Sequence, residues 1–181
     1  MRIARNTLYR RWLWTSALAA LLFCILRLLD ARLKSQTGFD TADLRGLDAA
    51  LPLRAVFFLW SSAPNAVLAG FLLGLDYLFI PLYAAAFFYS GVIAAESFAP
   101  RPGRLRRILG LAAMVPLVGG LCEGFEKALQ LWMFQSGTTD LLARLAAMAG
   151  KASLFALVVG LVLFAAAVAG RFAALKKAPD S

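Results

Sequence analysis

The chain of 181 residues is 61% hydrophobic and 16% charged, whereas a soluble globular domain is nearer 45 to 50% apolar and about 25% charged. An ordinary water-soluble fold is excluded. Basic residues outnumber acidic ones by 19 to 10 and histidine is absent, which removes Ser-His-Asp and Cys-His catalysis and histidine zinc sites from consideration.

The first apolar stretch, about residues 12–29, follows a basic start with Arg2, Arg5, Arg10 and Arg11. A retained anchor and a cleaved signal peptide both begin this way. The run ends in Asp30-Ala31-Arg32 without an Ala-x-Ala site, and Phe23 precedes Cys24 where a lipoprotein signal needs a small residue, so the anchor is expected. A mixed connector follows over about residues 30–64. In it Asp40 can cap a short helix with Asp43 in its first turn, and Leu53, Val56, Phe57 and Trp60 recur at the spacing of an amphipathic helix. That helix is expected on the membrane surface, with its apolar stripe in the lipid boundary.

Pro64 suits the first turn of a second span, about residues 65–95, which carries Asp76 and Pro81 and is long enough to need tilt or a kink near the proline. Ala99-Pro100-Arg101-Pro102-Gly103 breaks it, a third span covers about residues 108–134, and a polar turn over residues 135–140 leads into the fourth, about residues 141–172. The fold class is therefore all-α: one polytopic membrane domain over residues 1–181, a bundle of four transmembrane helices with an amphipathic interfacial helix between spans one and two. With the N-terminus inside, eleven basic residues fall on the cytoplasmic side and five (Arg32, Lys34, Arg45, Arg54 and Arg144) on the other. The positive-inside rule then puts both termini in the cytoplasm. Trp12 and Trp14 at one border and Trp60 and Trp132 at the other suit interfacial belts.

Asp76, Glu123, Glu126, Lys127 and Lys151 lie well inside apolar stretches. Each would cost about 2.5 to 3.5 kcal/mol at the centre of an isolated span, so they should face one another. At about 1.5 Å per residue Asp76, Glu123, Glu126 and Lys151 sit roughly 12 to 16 Å below the outer helix ends. Gly119, Gly120, Glu123, Glu126, Lys127 and Gln130 share one side of the third helix, and Tyr83 shares a face of the second with Asp76. The pairing expected from depth is Lys151 with Asp76 or Glu123, leaving Glu126 and Lys127 to reach water. Three carboxylates against two ammonium groups leave one negative charge, to be met by a proton or a positive group. Gly70/Gly74, Gly120/Gly124 and the pairs Ala146/Gly150, Ala156/Gly160 and Ala166/Gly170 permit close helix approach.

The run Leu75-Asp76-Tyr77-Leu78-Phe79-Ile80-Pro81-Leu82-Tyr83, the later Glu123-Gly124-Phe125-Glu126 and Gly150-Lys151-Ala152 resemble a loosely defined group of uncharacterised bacterial four-helix integral membrane proteins, over roughly residues 50 to 165. The resemblance implies the bacterial inner membrane and a polar cluster that does more than pack; it supplies no activity. Three functions stay open at this point: a non-enzymatic protein whose cluster lines a cavity for a lipid, amphiphile or cation; a subunit of a membrane assembly, with itself or another protein, whose charges fix register; and an intramembrane enzyme or proton-coupled carrier. Membrane lipids are the expected partners. No cofactor, metal or nucleic acid is expected.

Overall fold

A computed structural model describes residues 5–99 and 103–176, with side chains described over 6–99 and 103–172. Arg2, Arg101 and Lys177, three of the eleven basic residues assigned to the cytoplasmic side, lie outside the described residues. Five α-helices follow one another: α1 Arg5–Thr37, α2 Ala50–Trp60, α3 Ala63–Phe98, α4 Arg104–Ser136 and α5 Asp140–Lys176, with a 3₁₀ turn Asp43–Gly46 before α2. All except α2 are long and apolar enough to cross a membrane. The protein is a multi-pass, all-helical membrane protein, and the four expected spans extend by a few residues at each end.

Local chemistry explains where the helices stop and start. Gly38 and Gly137, at φ of 83° and 98°, end α1 and α4 by turning left-handed and donating N–H bonds back to the carbonyls of Lys34 (2.7 Å) and Met133 (3.1 Å). A side chain at either position would be strained. Pro64 sits in the first turn of α3, and the helix continues through Pro81. Asp40 and Asp43 cap each other, the Asp43 N–H donating to Asp40 (3.0 Å) and the Asp40 N–H to Asp43 (2.9 Å).

Contacts divide the chain into two compact units, each with its own interior: Met1–Ala19, Pro81–Gly120 and Leu154–Ser181 form a terminal unit, and Ala20–Ile80 with Leu121–Ser153 a connector unit. In the terminal unit small residues let helices touch. A Cβ on Gly91 would lie 2.5 Å from the Ala113 Cβ and 2.8 Å from its Cα, and one on Gly160 would lie 2.4 Å from the Phe87 ring. Leu8, Ile93 and Ala167 are buried together. The Trp12 indole N–H donates to the Ser90 hydroxyl at 2.9 Å, and that hydroxyl donates to the Ala86 carbonyl at 2.8 Å.

The connector unit is built differently. Leu53, Val56, Phe57 and Trp60 of α2 are all buried, in a core with Leu33 of α1, Leu72 of α3, Met133 of α4 and Ala143 of α5. This corrects the expected orientation: the apolar stripe faces protein, because a core of four helix segments offers it close-packed contacts. What α2 leaves exposed is a second apolar set, Leu51, Phe58 and Leu59. Trp60 is likewise packed inside and Trp12 is half-buried, so of the four tryptophans only Trp14 and Trp132 are the exposed rings that a border belt needs.

Polar ties fasten the connector. Buried Asp30 accepts from the Thr41 N–H (3.2 Å) and hydroxyl (2.9 Å), and Lys34 pairs with Asp40 (3.3 Å) and Asp43 (3.0 Å). Asp140, heading α5, accepts the first N–H of α2 at 2.7 Å, and Arg54 donates twice to the Thr138 carbonyl (3.2 and 2.6 Å). These ties hold the 3₁₀ turn beside α4.

Candidate functional site

The polar stripe of α4 is buried along its length. Gly119, Gly120, Glu123, Glu126, Lys127 and Gln130 all face inward, at the i, i+3, i+4 and i+7 spacing expected. Within the connector unit the stripe meets three other elements. From α3, Asp76 pairs with Lys127 at 3.2 Å. From α5, the Ser153 hydroxyl donates to Glu123 at 3.2 Å. From the 3₁₀ turn, Arg45 ion-pairs and hydrogen-bonds with Glu123, and its Nε stands 3.6 Å from Glu126.

Glu126 is the innermost group, with no residual exposure. Its carboxyl fills the notch left by Gly150 of α5, where an added Cβ would come within 2.9 Å of Cδ and 3.0 Å of both oxygens. The Gln130 side-chain N–H donates to Oε1 of Glu126 at 2.9 Å, one turn along the same helix. Oε2 of Glu126 and Oε1 of Gln130 are buried and have no hydrogen-bond partner among the described residues. Gln130 Oε1 accepts, and Glu126 Oε2 accepts while the carboxyl is ionised, so the site calls for a donor, either a proton on Glu126 itself or a group from outside. An unmet buried polar group costs about 1 to 3 kcal/mol, which makes two such atoms on adjoining side chains informative.

Charge gives the same answer. Asp76, Glu123 and Glu126 face Lys127 and Arg45, three carboxylates against two cations. Arg45 lies outside the spanning helices. Burial works against its charge, but Glu123, then Glu126, hold its guanidinium above its ordinary value. Its side chain keeps 26% exposure, so the cluster reaches outward through Arg45. Tyr77 closes one side, donating its phenol to the Gly124 carbonyl at 3.2 Å.

The structure thus brings Asp76, Glu123, Glu126, Lys127 and Gln130 together. Lys151 is exposed, one residue beyond the Gly150 notch, so the pairing expected from depth is replaced: Lys127 takes Asp76, and Arg45 takes the place given to Lys151. Glu126 and Lys127 are sealed rather than reaching toward water. Tyr83 belongs to the terminal unit, buried with its ring centroid 5.9 Å from that of Phe87. Arg45 went unforeseen because a loop cation reveals its reach only through the fold. Gly150, Gly160 and Gly170 of α5 each receive a neighbour closely, whereas Gly70, Gly74 and Gly124 meet nothing within 4 Å.

Comparison with family models, curated proteins and solved structures returned no match.

Proposed function

We propose that the protein is a non-enzymatic receptor in the bacterial inner membrane, both termini cytoplasmic, whose buried acidic cluster accepts one positively charged hydrogen-bond donor. An amphiphile with a primary ammonium head combines the required charge, N–H groups and apolar tail. The observation that carries this reading is the pair of unpartnered acceptors, Glu126 Oε2 and Gln130 Oε1, in a cluster one positive charge short. Arg45 acts here as a tethered stand-in, a cation on the exposed side of the cluster that an arriving ligand passes or displaces. The excess of basic residues flanking the cytoplasmic helix ends supports the orientation.

Native mass spectrometry of protein released gently from its own membrane tests the reading, with dodecylammonium and dodecyltrimethylammonium as added probes. The wild type is expected to carry a stoichiometric amine-bearing species that Glu126→Gln loses, and to be stabilised against heat by dodecylammonium, not by the quaternary analogue, which has no N–H. A bare chain in both proteins, with dodecylammonium raising neither Tm, overturns it.

A further inference from the structure

A second feature lies away from the acidic cluster and does not depend on it. The last turns of α1 and the first turns of α3 enclose a groove of ≈ 290 Å³ lined by Arg32, Gln36, Pro64, Val67, Leu68 and Phe71. Arg32 and Gln36 are four residues apart, as are Val67 and Phe71, so each helix presents one face to it. Val67 and Phe71 remain 74% and 57% exposed. The groove is an open trough whose lining is almost wholly apolar, Arg32 and Gln36 contributing the carbon stems of their side chains and carrying their polar ends beside it.

Asp30, Asp40 and Asp43 are already engaged elsewhere. Asp30 holds Thr41 and stands 3.8 Å from Arg27, while Asp40 and Asp43 hold Lys34. Arg32 and Gln36 make no ion pair or side-chain hydrogen bond among the described residues. Both lie in the final turns of a spanning helix, Asn6–Thr37, opposite the opening turns of another, Ala63–Phe98, the level at which head groups border the hydrocarbon core.

We propose that this groove is a phospholipid site: Arg32, with Gln36, holds the phosphodiester, and Val67, Leu68 and Phe71 hold an acyl chain. A planar guanidinium can take two phosphate oxygens at once. A protein helix packed here would bury Arg32 without a counter-charge unless it carried its own acid. A molecule with one anionic head and an apolar tail satisfies both the apolar trough and the cation beside it.

The test is lipid titration of the full chain in detergent, read by native mass spectrometry, with three probes: palmitoyl-oleoyl phosphatidylglycerol, the diacylglycerol with the same chains, and inorganic phosphate. The variants are Arg32→Gln, Leu68→Trp to fill the trough, and Lys151→Gln as an exposed cation elsewhere. One phosphatidylglycerol is expected to remain on the wild type, and its affinity to fall about tenfold, the loss of one charge-assisted contact, in Arg32→Gln and in Leu68→Trp. Lys151→Gln should bind normally, and diacylglycerol and phosphate should each bind more weakly. Unchanged binding in Arg32→Gln, or an equal fall in Lys151→Gln, overturns the proposal. Should Leu68→Trp not fold, Arg32→Gln decides alone, since Arg32 contributes no polar tie to the fold.

Discussion

The two units solve the problem of joining helices in different ways. In the terminal unit, helices meet through absent side chains: Gly91 admits the Ala113 backbone, Gly160 admits the Phe87 ring and Gly170 admits Ser97. In the connector unit ion pairs are added to an apolar core, and every buried charged side chain among the described residues lies there. Lipid tails are as apolar as leucine, so close packing suffices to associate helices. Intramembrane charge is expensive by comparison, and tends to mark function. The difference directs attention to the connector unit, because the terminal unit joins the same helices without a buried charge among the described residues.

Removing one partner of the buried pair should have the largest effect. Asp76→Ala strands Lys127 and is expected to cost about 3 to 5 kcal/mol, read as a fall in Tm in detergent. Gly91→Ala strikes the terminal unit, where the Ala113 backbone cannot yield as a flexible side chain would, and should cost about 1 to 3 kcal/mol. If both changes proved equally mild, the contrast between the units would collapse.

Glu126→Gln sharpens the comparison in the opposite direction. The new amide supplies an N–H for Gln130 and balances the charges at two against two. Ligand-free protein should gain stability, by about 1 kcal/mol for each acceptor relieved, while losing the amine-bearing species. Lys151→Ala should change Tm least, within about 0.5 kcal/mol, because the side chain is exposed and unpaired among the described residues.

Much of this was legible before any coordinates. Span positions follow from apolar run length, and the α4 stripe from helical period, because both depend on local sequence alone. Lys151 was misplaced because depth along a helix carries no angular information. The small residues Gly150, Ser153, Ala156 and Gly160 mark the buried face of α5, and Lys151 lies off that line. Tyr83 shares a face with Asp76 but stands roughly 10 Å farther along the axis. The inward turn of α2 was hidden for another reason. Its stripe suits lipid and protein equally, and only the presence of Leu33, Met133 and Ala143 settles which it meets.

The position of Lys127 in the chain also constrains biogenesis. Asp76 leaves the ribosome with α3 before its counter-ion exists, and Arg45, made earlier still, has no carboxylate of α4 to bind until that helix follows. The seat for Glu126 at Gly150 and the donor at Ser153 arrive only with α5. The connector unit therefore closes when the last helix enters the bilayer, and a nascent chain stalled before that point holds its acids half-matched.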